Sequence, residues 1–163
     1  MSWHPSPEVE IAITGRGVVS SIGEGADAFI DALLERRSGI VDGMAPCSEF
    51  DPEAAMSAKV ARRSDRYTQL AVAAAVQAAE EAGLPGDIDL ERLAILVGTG
   101  VGGLKTLEDE CRAFVDGGER AVSPHFVPMM MPNAAAGAIA MQLGAHGPGF
   151  SVSSACATGS HAI

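Results

Sequence analysis

Aromatic residues make up only 4% of this 163-residue chain, with one Trp, one Tyr and five Phe. A core so poor in large rings has to be built from small and aliphatic side chains, and hydrophobic residues reach 47% of the sequence. That share excludes a disordered chain. Basic residues are scarce too: 11 Lys and Arg stand against 21 Asp and Glu, a formal net charge of −10. A duplex-binding protein carries a basic footprint, so nucleic acid is not the expected partner. The acidity serves solubility. The three cysteines, Cys47, Cys111 and Cys156, are far apart and odd in number. They form neither a disulfide framework nor a zinc-ligand spacing, and no metal is expected. No apolar run is long enough to span a bilayer, so no membrane association is expected. The opening stretch from Met1 to Pro7 lacks the basic and apolar regions of a signal peptide, and the expectation is a cytoplasmic protein.

The hydrophobic pattern alternates between two periods. Val9 to Thr14 predicts a strand, broken at Gly15-Arg16-Gly17, with extended structure resuming at Val18 and Val19 up to Ser20-Ser21. Ala26 to Arg36 is amphipathic at helical spacing, with Phe29, Ile30, Leu33 and Leu34 on one face and Gly39 as the stop. Gly43 to Pro52 is irregular, with Pro46 and Asp51-Pro52 as turn signals. Ser64 or Asp65 caps a long helix running through Ala82 and ended by Gly83. Its Ala71–Val76 centre is apolar nearly all round, which implies burial on several sides. Leu93 to Val97 is a short apolar run of the kind found in buried parallel strands. A glycine loop, Gly98 to Gly103, separates it from a helix over Leu104 to Val115. A small-residue helix follows over Pro132 to Leu143, with the Pro in its first turn. Phe150 to Ser153 is a last strand. Strands alternating with helices predict an α/β layered fold with a mainly parallel sheet.

Two stretches carry candidate chemistry. Ser154-Ala155-Cys156-Ala157-Thr158-Gly159 follows the last strand and begins with residues small enough to open a helix. A Cys on such a turn has its sulfur near helix N–H groups, which favours the thiolate, the nucleophilic form. A buried structural thiol is the alternative, and it is the reading for Cys47 and Cys111, which lack this context. Gly98-Thr99-Gly100-Val101-Gly102-Gly103 has the form of a dinucleotide-binding fingerprint. That fingerprint also needs a second strand with an acidic end about 20 residues on. Here Asp116-Gly117-Gly118-Glu119 falls in a polar loop after a helix, so no nucleotide cofactor is expected.

Five stretches in order resemble the β-ketoacyl-acyl carrier protein synthases of the thiolase superfamily, the elongating type. They are Ile13 to Ser20 (ITGRGVVS), Arg62 to Gln69 (RRSDRYTQ), Val97 to Gly103 (VGTGVGG), Ser123 to Pro128 (SPHFVP) and Val152 to Gly159 (VSSACATG). The resemblance covers essentially the whole chain. It implies a thiolase-like layered fold, a mainly parallel sheet flanked by helices, cut short after the nucleophile turn. It also implies that residues 1–163 are the N-terminal portion of a β-ketoacyl synthase domain. Family members continue for more than this length again and carry two histidines, a lysine and a second oxyanion donor there. His4, His125, His146 and His161 do not match those positions.

The activity implied is acyl transfer and decarboxylative Claisen condensation of an acyl thioester with malonyl-acyl carrier protein, in fatty acid or type II polyketide synthesis, without a cofactor. Cys156 would be the nucleophile, and its backbone N–H one oxyanion donor. Val101 would gate the acyl channel. Phe126 would line the pocket near a dimer interface, and Ala155 would contact substrate. Ordinary core packing is the alternative for Val101 and Phe126. Met129-Met130-Met131-Pro132-Asn133 is a soft apolar stretch that the resemblance sets near the subunit interface and pocket, with plain packing the alternative. Lys59, Arg62, Arg63 and Arg66 form a basic cluster in an acidic chain. Acyl carrier proteins are acidic, so the cluster reads as their docking patch. A solvated helix start is the alternative, although cations at a helix N-terminus are mildly unfavourable. The other partner implied is a second synthase subunit, identical or related. Without the downstream residues, residues 1–163 are expected not to condense substrates alone. A catalytically silent truncated or partner subunit of a condensing-enzyme dimer is the second functional reading.

Overall fold

The computed structural model describes residues 10–163. Val9, where the first expected strand begins, lies outside the described residues, as do the opening stretch from Met1 to Pro7 and His4.

The organising element is helix α3 (Arg66–Ala82). Asp65 caps it by accepting the Tyr67 N–H, and Gly83 closes it at φ 71°, in the left-handed conformation that only glycine adopts without strain. Between those caps the Ala-rich stretch has high helix propensity and short side chains. Val72, Ala73 and Ala79 are buried on α3, which packs on α6 (Ala134–Leu143), where Ala135, Ala136 and Ile139 are buried. The central cluster joins Met56, Ala61, Val72, Ile95, Ala136 and Ile139. No aromatic ring belongs to it, in keeping with the aromatic-poor composition, although Phe50 is buried outside it.

α6 packs in turn on a parallel pair of strands, β3 (Ile95–Gly98) and β4 (Gly149–Val152), in the register Ile95 to Gly149 through Gly98 to Val152. Parallel neighbours need a long crossover. Here it consists of α4 (Leu104–Gly117), α5 (Phe126–Met130) and α6. A second, antiparallel pair, β1 (Val19–Ser20) and β2 (Gly23–Glu24), leads into α1 (Ala26–Leu34). The last helix, α7 (Thr158–Ala162), packs on β3 and β4.

Several elements differ from the sequence expectation. Residues 10–14 of the expected first strand form no ladder, and Ile11 and Ile13 are exposed. A strand exists through its pairing. Ile13 and Gly15 instead face Leu93, Ile95 and Val97 across an open cleft of about 320 Å³, floored by Ala residues of α3 and by Ile139 and Leu143. The segment just beyond is tethered by side chains: Gln77 Oε1 accepts the Val18 N–H at 2.9 Å, and Glu81 accepts the Arg16 N–H at 2.6 Å. The Arg16 guanidinium also donates to Glu81, and these bonds hold the Glu81 carboxyl below the usual carboxylate range.

The α1 helix ends at Leu34 rather than Arg36, which takes φ 56° and cannot continue it. Its apolar side chains Ile30, Leu33 and Leu34 remain exposed. Pro132 precedes α6, whose N-cap is Asn133. Two short helices were not legible in the apolar pattern: α2 (Ala58–Ala61), capped by Ser57, and α5, which holds Pro128.

Candidate active site

Cys156 sits on a short 3-10 turn, Ala155–Ala157, between the end of β4 and the start of α7, and its side chain is exposed. The turn is strained. Ala155 has φ 51°, a left-handed conformation unfavourable for any residue with a Cβ. Such strain persists where surrounding groups over-determine it. Three hydrogen bonds do so. Thr158 Oγ1 accepts the Ser154 N–H at 3.0 Å and donates to the Ala155 carbonyl at 2.5 Å. Ser154 Oγ and His161 Nδ1 are 2.6 Å apart. His161 therefore points back to the residue that opens the turn, while remaining exposed.

β3 carries the glycine loop to the same end of the sheet. The Thr99 N–H donates to the Val152 carbonyl at 3.1 Å, extending the β3–β4 pairing by one residue. Ser153 Oγ then donates to the Gly100 carbonyl at 3.0 Å, bonding the approach to the cysteine directly to the loop. Thr99 Oγ1 accepts the Gly102 N–H within the loop. Val101 stands on this loop, 59% exposed, so plain core packing does not describe it. Phe126 is elsewhere. It is half-buried at the start of α5 and lines a cavity of about 550 Å³ with Cys111, Phe114, Val115 and Val122 of α4 and its flank. Ala155 is exposed beside the cysteine.

The basic cluster divides. Lys59, Arg62 and Arg63 are exposed, and among the described residues none of them forms an ion pair. They lie on and just after α2, at its C-terminal end. Contrary to the expectation from sequence, these three cations do not burden a helix N-terminus. Ser57 starts α2 and Asp65 separately starts α3, and the cations fall between the two caps. Arg66 is turned inward. Its guanidinium donates to the Cys47 carbonyl at 2.6 Å and the Phe50 carbonyl at 3.4 Å, and lies 4.7 Å from the Phe50 ring centroid. Lys59 and Arg63 rim a cavity of about 580 Å³ that Met129, Met131 and Met141 help to line. Among the described residues no cluster of His, Cys, Asp and Glu could hold a metal ion, and no helix is long and apolar enough to cross a membrane.

Sequence reading missed the part played by Thr158, His161 and Asp65. A hydroxyl two residues after the cysteine and a histidine five after it were the available signals. Asp65 was read as a helix cap only. Its carboxylate is buried and also accepts the N–H and the hydroxyl of Thr106, at 2.8 and 2.6 Å, so one side chain starts α3 and secures α4 behind the glycine loop.

Solved structures place this arrangement in a class. The ishigamide ketosynthase/chain length factor aligns with a TM-score of 0.77 at 28% identity, over 86% of this chain and 39% of that one. The structure of a type II PKS acyl-carrier protein in complex with its ketosynthase aligns at 0.76 over 93% of this chain and 43% of that one. At 21% identity it speaks for the fold alone. The class is thus the thiolase-like ketosynthase fold, in part. The family follows from the sequence comparisons. The profile described as Beta-ketoacyl synthase, N-terminal domain, matches residues 8–163, and the chain belongs to that family. The 3-oxoacyl-(acyl-carrier-protein) synthase 2 of Vibrio cholerae is 35% identical over 94% of this chain and 40% of its own length. Its Staphylococcus aureus (strain MRSA252) counterpart is 34% identical over 97% and 41%. The chain thus spans about 40% of the length of the curated relatives it matches.

Proposed function

We propose that residues 1–163 are the N-terminal part of a cytoplasmic β-ketoacyl-acyl carrier protein synthase, with Cys156 as its nucleophile. The observation that carries this reading is the exposed cysteine on a strained turn at the end of a parallel strand, hydrogen-bonded through Ser153 to the glycine loop. The Cys156 sulfur attacks the carbonyl of an acyl thioester. The carrier thiol leaves, and the acyl group stays on the enzyme as a thioester. A malonyl thioester then loses carbon dioxide. Its carbanion attacks the acyl-enzyme carbonyl, and the Cys156 thiolate leaves as the carbon–carbon bond forms. The Cys156 N–H stabilises the tetrahedral oxyanion in the first step. His4, His125, His146 and His161 do not match the positions that the family resemblance implies for receiving the malonyl carboxylate, so the second step is proposed to draw on residues beyond this chain.

Lys59, Arg62 and Arg63 are the proposed docking patch for an acidic acyl carrier protein, because they are exposed cations that form no ion pair among the described residues, in a chain of net charge −10. Val101, on the loop bonded to the cysteine turn, is the proposed gate of the acyl channel, and Phe126 a pocket residue nearer a subunit interface. The proposed second subunit is identical or a related synthase chain.

The test is acylation of the whole protein by an acyl thioester, read by peptide mass. An acyl adduct on the Cys156 peptide, lost in Cys156→Ala, is the expected result. Absence of any adduct on Cys156, with the protein folded, would overturn the reading and favour the silent partner subunit.

A further inference from the structure

Thr158 is buried and makes two hydrogen bonds through one hydroxyl. Its oxygen accepts the Ser154 N–H, and its single proton goes to the Ala155 carbonyl. The second bond matters most. The Ala155 carbonyl belongs to the same peptide unit as the Cys156 N–H. A peptide unit is planar and trans, so its C=O and N–H point in opposite directions and turn together. Pinning the carbonyl therefore aims the N–H. The left-handed φ of Ala155 lies one bond before this plane, so its relaxation would swing the whole unit.

We propose that Thr158 is a positioning residue that orients the Cys156 N–H as an oxyanion donor, and that the Ser154–His161 contact braces it. This rests on the reading of Cys156 as the nucleophile. Ser154 is held at both ends. Its N–H goes to Thr158, and its hydroxyl meets His161 one turn further along α7. The turn preceding the nucleophile is thus tied to the first and last turns of α7, and neither tie touches the sulfur.

The prediction separates two reactions of the same thiol. Acylation by a thioester builds an oxyanion. Alkylation by iodoacetamide forms an S–C bond as iodide leaves and builds none. Thr158→Val keeps the shape of the buried side chain and removes both bonds. It is expected to lower kcat for acyl transfer from a small thioester roughly 10- to 100-fold, short of or just reaching the loss of a whole oxyanion donor. KM and the alkylation rate of Cys156 should stay within about threefold. Thr158→Ser restores the hydroxyl and should recover most of the rate. His161→Ala changes an exposed residue, keeps the Thr158 bonds, and should show a smaller loss of acylation in the same sense, roughly threefold, as for one hydrogen bond. It keeps the test open if Thr158→Val does not fold.

Equal losses of acylation and alkylation in these variants would mean a general collapse of the turn and overturn the proposal. So would unchanged acylation, or no recovery in Thr158→Ser. A wild-type Cys156 that alkylates but accepts no acyl group would reject the nucleophile reading itself, and with it any positioning role.

Discussion

Gly98 and Thr158 lie so close that a Cβ on Gly98 would stand 2.6 Å from both the Thr158 carbonyl oxygen and its Cγ2. The last residue of β3 is thus bare where the first residue of α7 seats on the sheet, which sets how closely the cysteine turn approaches the glycine loop. Gly98→Ala should push α7 off the strand. Overpacking of this kind costs about 1–3 kcal/mol. Denaturant unfolding should show that loss, and Cys156 acylation should slow alongside it. A fully stable and fully active variant would show that α7 has room to shift.

Asp65 should be one of the most sensitive positions in the chain. Its buried carboxylate accepts from the Tyr67 N–H, the Thr106 N–H and the Thr106 hydroxyl. Asp65→Ala leaves all three donors without it, and a loss of about 3 kcal/mol is expected from unsatisfied buried donors plus a missing cap. Ser57→Ala removes an exposed cap with a long 3.4 Å bond. It should cost about 0.5 kcal/mol, the low end for caps. Chemical denaturation of the two variants side by side checks the contrast.

Acid should weaken the attachment of the 16–18 segment to α3. The Glu81 carboxyl is held below its reference value of 4.5, first by the Arg16 side-chain hydrogen bond and then by the Arg16 N–H. A depressed carboxyl contributes stability that is present above the unfolded value and is lost as pH falls through the folded one. Stability should therefore fall below about pH 4.5 by an increment that Glu81→Gln abolishes. The pair is exposed, so salt should shrink the increment. Unfolding of both proteins from pH 6 to pH 3, by about one unit at a time, reads the difference.

Arg66 and its neighbours should separate in mutagenesis. Reversing Arg62 and Arg63 to Glu should weaken carrier-protein binding roughly tenfold, more at low salt, while reaction with a small acyl thioester is spared. Equal loss with both substrates would reject the docking role. Arg66→Glu should instead destabilise the fold, because the guanidinium holds the Cys47 and Phe50 carbonyls and stacks on the Phe50 ring. Surface plasmon resonance and thermal melts on the same variants distinguish the two effects.

Where local rules and packing agreed, the sequence was enough. Ser64 or Asp65, an alanine-rich span and Gly83 mark the start, body and end of α3 within the chain itself, and the observed helix takes Asp65 as its cap. The apolar run before the glycine loop and the short run before Cys156 become the two parallel strands to within two residues at either end. The ordered motifs identified the family and singled out the cysteine. Short elements without periodicity escaped. α2 is four residues long and α5 contains Pro128, so neither shows a face.

By itself, then, the sequence determined the α/β alternation, an aromatic-poor core, the family and the cysteine on the turn after the last strand, because each depends on neighbours along the chain. Tertiary structure decided that Ile11 and Ile13 lie in an unpaired segment, that Arg66 turns inward while Arg62 and Arg63 face solvent, and that Phe126 lines a cavity on α4. It also decided that Thr158 and His161 hold the turn around Cys156. Strand pairing, the direction of a long side chain and the reach of a hydroxyl all depend on which distant residues fold alongside, and that information is not local.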